Sequence, residues 1–280
     1  MIEPARQGKE LIDEIAQSSP PPGTLALWWL GQSGFLVKSR HGLLAVDLYL
    51  SEHLTKKYES TGRPHLRMTR APIRGKDLEH VDLVLASHKH SDHFDPETLP
   101  DLMASSQALL VLPEAIRDNA LALSLPADRL LGLDARDRVE RAGFCVRAVP
   151  SAHEGLDTDR AGRHLYLGYV IESEGLRIYH SGDTLAYEGL SKHLGPQRLD
   201  VMLLPINGRE PARGVPGNMS AAEAIDLAIK LRPRFVVPHH YDMFTFNTVS
   251  IDVFVEEARR LPPAVSPTVL RCGERWEILP

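Results

Sequence analysis

Ser87-His88-Lys89-His90-Ser91-Asp92-His93 sets three imidazoles and a carboxylate within a short stretch, directly after the apolar run that begins at Val81. Imidazole nitrogens and carboxylate oxygens are the ligand set of Zn²⁺ and, with more oxygen, of Mn²⁺ or Fe²⁺. A loop at a strand end lets alternate residues converge on one point, so the cluster reads as a metal site. Ligands this close in sequence cannot easily all serve one ion, and others are expected at later strand ends. His153 follows Ala148-Val149-Pro150-Ser151-Ala152, Asp183 sits in His180-Ser181-Gly182-Asp183-Thr184, and His240 sits in Val237-Pro238-His239-His240-Tyr241-Asp242. Each stands at the exit of an apolar β-type run.

The elements that must position these residues are legible in outline. A short helix is expected within Arg6 to Gln17, stopped by Pro20-Pro21-Pro22-Gly23 because proline lacks the amide donor. Leu25 to Leu30, Phe35 to Lys38 and Leu43 to Tyr49, punctuated by glycines, predict an antiparallel meander. Further strands are expected at Val81 to Ser87, Ala108 to Leu112, Val139 to Val149, Leu165 to Glu172, Leu176 to Tyr179, Val201 to Pro205, Phe235 to Val237 and Val269 to Leu279. Ser173-Glu174-Gly175 marks a hairpin turn. Helices are predicted over Pro96 to Ser105, near Glu114 to Leu123, from the capping box Ser220-Ala221-Ala222-Glu223 to Leu231, and over Ile251 to Leu261. Strands in runs with helices between them suggest two packed sheets covered by helices, within an α+β class that leaves other folds open.

Ser51 to Lys76 stands apart: seven basic residues (Lys56, Lys57, Arg63, Arg67, Arg70, Arg74, Lys76) face only Glu52 and Glu59. It reads as a long basic excursion, either functional or a solvated surface or subunit contact.

The chain resembles the metallo-β-lactamase superfamily, whose HxHxDH motif is matched by His88, His90, Asp92 and His93, with His153, Asp183 and His240 as the later single ligands. The resemblance implies an αβ/βα four-layer sandwich of two packed, mostly antiparallel sheets with helices outside, and two divalent metal ions, Zn or Mn. It implies that His88, His90 and His153 hold the first, that Asp92, His93 and His240 hold the second, and that Asp183 bridges them. Pro22-Gly23-Thr24, Trp28-Trp29-Leu30-Gly31, Gly34, Leu36-Val37-Lys38-Ser39, His180-Ser181-Gly182-Asp183, Asn218-Met219 and Pro238-His239-His240-Tyr241-Asp242 are similar to its UlaG-like branch of L-ascorbate-6-phosphate lactonases. That branch implies a cytoplasmic metal-dependent hydrolase.

Composition narrows the alternatives. A chain of 280 residues with 43% hydrophobic and 25% charged residues excludes disordered and fibrous classes, and residues 1–280 are expected to form a single domain. The formal charge of −5 gives no excess of lysine and arginine for duplex DNA or an anionic membrane. Cys145 and Cys272 form no CxxC pair, which excludes a disulfide framework; Cys145 reads as a small buried apolar residue. The N-terminal segment lacks the apolar core of a signal peptide, and no apolar run approaches the roughly 20 residues that span a bilayer. A cytoplasmic location is expected, with homo-oligomer formation left open.

The function expected is a metal-dependent hydrolase in which a metal-bridging hydroxide attacks an ester or lactone bond of a small anionic substrate. Asp92 or Asp183 would orient the hydroxide and His180 would serve as acid. Arg160, Arg163, His164, Asn207 and Arg209 lie near ligand segments and are candidate substrate contacts, arginine suiting phosphate or carboxylate through its planar donor fork. Asp47 could orient a ligand imidazole, and His239, beside a ligand, should point the other way. His41, His53, His65, His80 and His193 have no ligand-like context. The alternatives are a phosphodiesterase or nuclease, supported by the basic excursion, and a non-catalytic metal-binding scaffold.

Overall fold

A computed structural model describes residues 1–195, 198–214 and 217–280. Strand β1 (Leu25–Gly31) is buried along its whole length because it has a covered face on each side. Leu25, Leu27 and Trp29 pack into one apolar cluster, which also takes Val146, Ala148, Tyr169 and Ile178 from a second sheet. Ala26, Trp28 and Leu30 join another, with Leu11 and Ile15 of helix α1 (Gly8–Gln17) and Leu99 and Leu102 of α3 (Thr98–Ser105). A strand that buries both faces belongs in the middle of a layered protein, and each fully buried leucine there contributes about 1.5–3 kcal/mol.

The first sheet runs β14 (Arg275–Ile278), β1, β2 (Gly34–Lys38), β3 (Leu43–Val46), β4 (Leu83–Leu85), β5 (Leu109–Pro113), β6 (Leu130–Leu133). The second runs β13 (Ser266–Pro267), β12 (Phe235–His239), β11 (Val201–Pro205), β10 (Leu176–His180), β9 (Leu167–Ser173), β8 (Phe144–Pro150), β7 (Arg138–Arg141). Face to face, with α1 and α3 over one and α5 (Leu190–Leu194) and α6 (Ala221–Leu231) against the other, they make the αβ/βα sandwich.

The balance of strand directions differs from expectation. The sheets are mixed, not mostly antiparallel: each has three antiparallel and three parallel pairings. Every parallel step has a helix in its crossover: α2 (His53–Tyr58), α3 and α4 (Arg117–Ala122) in the first sheet, and α5, α6 and α7 (Ile251–Glu257) in the second. A parallel partner requires such a crossover, whereas hairpins give the antiparallel pairs.

At the β9–β10 hairpin, Ser173 pairs with Leu176, and both Glu174 and Gly175 adopt positive φ, as a two-residue turn requires. The α6 capping box forms: Ser220 Oγ accepts from the Glu223 amide while Glu223 accepts from that of Ser220. β6 was not expected, and of the strand predicted over Val269 to Leu279 only β14 forms. No helix among the described residues is long and apolar enough to cross a membrane.

Candidate metal centre

The candidate ligands follow the carboxyl ends of β4, β8, β10 and β12, and the fold brings all of them together. Ligand atoms of His88, His90 and His153 lie within 4.8 Å of one another, as do those of Asp92, His93, Asp183 and His240. Asp183 stands between the groups: its Oδ2 is 3.5 Å from Nε2 of both His153 and His240, and its Oδ1 is 3.2 Å from Nε2 of His93. His88 Nε2, His93 Nε2 and Asp183 Oδ1 are buried with no hydrogen-bond partner among the described residues. Buried polar atoms without partners call for an explanation, and cations between these converging donors would supply it.

The backs of the rings are fixed. Asp47, fully buried, accepts the Ser87 amide at 2.7 Å, the Ser87 hydroxyl at 2.6 Å and His93 Nδ1 at 2.7 Å. Since the Ser87 proton is spent on Asp47, Nδ1–H of His88 donates to Ser87 Oγ at 2.9 Å. One carboxylate thereby orients a histidine of each group and leaves both Nε2 atoms facing the donor clusters. His153 Nδ1 donates to the Gly217 carbonyl at 3.1 Å. Gly182, at φ +57°, lies where a Cβ would come 2.7 Å from that of Ser87, so the β10 loop needs glycine to approach the β4 loop.

The two groups differ electrostatically. Burial, outweighing Asp92, holds His90 down to about 4, and burial with its neighbouring imidazoles keeps His88 well below its ordinary value. In the second group burial also opposes charge on the histidines, but Asp183 and Asp92 overcome it, raising His240 to about 9 and His93 well above the usual imidazole value. Burial works against the carboxylates as well, yet His93 and His240 hold Asp92 and Asp183 far below the ordinary range.

A cavity of about 330 Å³ opens over His90, Asp92, His153, Asp183 and His240. Its walls are Gln32, Leu54, Lys57, Tyr58, His65, Lys89, Ser91, Phe244 and Asn247. Much of that wall comes from the basic excursion, which is anchored by buried Arg67. The Arg67 guanidinium donates to the carbonyls of Thr69, Ser51 and Tyr49, and backbone bonds from Met68 to Met243 and from Thr245 to Leu66 dock the segment on the loop after β12. His65 stacks on Tyr58 at 4.4 Å and meets Phe244 and Phe246 edge-on or tilted. His65 therefore has a place at the cavity that its sequence context did not suggest.

The other expected contacts lie elsewhere. His180 is fully buried, donating from Nε2 to the Ser33 carbonyl and accepting the Gly182 amide at Nδ1. With both nitrogens engaged and no opening to the cavity, it does not serve as the acid; its ring stacks on His239 at 5.2 Å. His239 turns from the ligands toward Ser33 Oγ, 3.0 Å away. Arg163 pairs with Asp159 and Glu114, and His164 with Asp134. Arg160 is exposed outside the cavity wall. Arg209 is tied to Glu223 of the α6 cap. Asn207 is buried behind the wall, donating to Asn247 Oδ1 at 3.0 Å. Nearness in sequence to a ligand loop did not translate into a place on the cavity wall: Arg163, His164 and Arg209 found acidic partners outside it.

A family profile described as the beta-lactamase superfamily domain matches residues 26–240. A protein named "Probable L-ascorbate-6-phosphate lactonase UlaG" from Salmonella choleraesuis (strain SC-B67) is 27% identical over 274 residues, covering 85% of this chain and 75% of that protein. Among solved structures, Igni18, a metallo hydrolase from Ignicoccus hospitalis, aligns with a TM-score of 0.67 at 21% identity over 91% of this chain and 98% of that one. CmlA, a diiron β-hydroxylase from Streptomyces venezuelae, aligns at 0.66 and 15% identity over 97% of this chain and 60% of that one. A hydrolase and a hydroxylase thus share this scaffold, and the reaction has to be argued from the site.

Proposed function

We propose a specific activity for this chain, which belongs to the beta-lactamase superfamily: hydrolysis of an ester or lactone bond in a small anionic molecule, at a centre of two divalent cations. His88, His90 and His153 would hold one, Asp92, His93 and His240 the other, with Asp183 between them. Such a pair, when bound, supplies an activated water and polarises the attacked oxygen. In the overall reaction water adds to the carbonyl carbon, the carbon–oxygen bond of the ester breaks, and a carboxylate, a hydroxyl and a proton result.

The carrying observation is the cavity, with two sets of converging donors sharing Asp183 on its floor and Lys57 and Lys89 in its walls. Both lysines are exposed, and among the described residues neither takes part in an ion pair, so their charges are available to a ligand. Asp92 and Asp183 are kept ionised by their histidines, which suits them to ligate a cation and to accept the hydrogen bond that orients the attacking water. The similarity to a lactonase favours a lactone among esters.

The phosphodiesterase reading has less to rest on than the basic excursion suggests. Within the basic excursion Arg67 is buried, Arg70 pairs with Glu3, Arg74 with Asp77 and Lys56 with Glu97, so only Lys57, Arg63 and Lys76 are exposed without an ion pair among the described residues. The deciding assay reconstitutes the protein with Mn²⁺ or Zn²⁺ and compares turnover of sugar-phosphate lactones, neutral esters and bis(p-nitrophenyl) phosphate. Preference for the anionic lactones supports the proposal; turnover of the phosphodiester alone overturns it.

A further inference from the structure

Gln32 occupies the tight connection between β1 and β2 at φ +50°, a left-handed backbone that a bulky side chain rarely adopts. Turns of this kind normally take glycine, asparagine or aspartate. A residue held against its local preference by everything around it is a candidate for a role at a site, and here the surroundings are explicit. The Gln32 carbonyl accepts both the Trp29 indole N–H and the His240 amide, each at 3.0 Å. These bonds fasten the strained turn directly to the segment carrying a candidate ligand.

The side chain is almost wholly buried and reaches the second ligand group. Its amide nitrogen donates to Asp92 Oδ2 at 2.8 Å and lies 3.1 Å from His240 Nε2. No other donor to the Asp92 carboxylate is found among the described residues except the candidate ligands themselves. The oxygen that the amide holds, Oδ2, is also the one 3.6 Å from His93 Nε2 and 3.5 Å from His240 Nε2, so the bond from Gln32 sets that carboxylate directly beside the other candidate ligands. Ligating carboxylates held in this way keep their orientation when the ligand set closes. The first group has its own support in Ser87 and the Gly217 carbonyl, neither of which touches Gln32.

We infer that Gln32 is a positioning residue for the second cation alone: its amide fixes Asp92 beside His240 and thereby sets how tightly that cation is held. This rests on the ligand assignment proposed above. The strain in the turn is then maintained for the sake of the site, since a residue that suited the backbone could not span to Asp92.

The test uses the full-length protein stripped with a chelator and titrated with Zn²⁺ against a competing chromophoric chelator. Two variants are paired. Gln32→Asn tolerates the left-handed backbone and keeps an amide one methylene too short to reach Asp92; Gln32→Gly suits the backbone and removes the side chain. The inference predicts a second-equivalent Kd weakened by roughly ten- to a hundredfold in both variants, an unchanged first equivalent, and melting of the stripped variants no earlier than that of the wild type. Wild-type affinity for both equivalents in both variants overturns it. So does parallel weakening of both equivalents with earlier melting, which would mark Gln32 as part of the general packing. If the wild type binds fewer than two cations, the ligand assignment itself fails; two in the wild type with no effect of either variant refutes only the role of Gln32.

Discussion

Asp47 and His93 meet at 2.7 Å, Oδ2 to Nδ1, with neither side chain exposed to solvent. Because the same carboxylate reaches His88 through the Ser87 hydroxyl, a single buried acid orients one imidazole in each half of the centre. Asp47→Asn keeps the size but presents an amide in place of one acceptor. We expect metal affinity to fall by about ten- to a hundredfold for both equivalents, in contrast to Gln32. Isothermal titration of the stripped protein with Zn²⁺ checks this, and a loss confined to one equivalent would refute the shared role.

The electrostatic difference between the two groups predicts a difference in proton release. A cation needs the nitrogen lone pair, so histidines with raised values must shed a proton on loading. His240, at about 9, and His93, higher than usual, carry protons at pH 7 in the stripped protein; His90, at about 4, and His88 do not. The proton on His240 should therefore make the affinity of the second group rise as pH rises toward about 9, whereas His90 and His88 add no such rise to the first. Titrations in buffers of different ionisation enthalpy measure the protons released at each step. Equal release by the two equivalents would contradict the assignment.

Lys57 and Lys89 are exposed cations on the cavity wall. Replacing either by alanine should raise KM for an anionic lactone by roughly three- to tenfold, about 1 kcal/mol, and leave kcat nearly unchanged. The effect should shrink at high salt. A fall in kcat at constant KM would place these lysines in the chemical step instead.

Gly182→Ala forces a Cβ against Ser87 in a backbone that disfavours it. A cost of about 2–4 kcal/mol in stability is expected from strain and overpacking, read as an earlier denaturant midpoint, together with weakened metal binding because Ser87 must shift. An unaltered midpoint would show that the two ligand loops have more room than the structure allows them.

Much of this could be read from the sequence because three imidazoles and a carboxylate crowd one short stretch after an apolar strand and further candidates recur at later strand ends. His88, His90, Asp92, His93, His153, Asp183 and His240 stood out for that reason, and the fold gathers them. The strands were legible where both faces are buried, as in β1. What covers the ligands was not. Lys57, Tyr58 and His65 arrive on a segment without periodicity, ordered by Arg67 bonding to backbone carbonyls, and no pattern announces such a contact. Gln32 hid in an ordinary-looking turn, and only its backbone angle and reach disclose its position. Arg163 and Arg209 misled because an arginine near a ligand in sequence can as well pair with a surface acid.

The most direct test of a two-cation centre sharing Asp183 is elemental analysis of the chain after reconstitution with Mn²⁺ or Zn²⁺ and removal of free metal. The account predicts close to two ions per chain; one ion or fewer would contradict it.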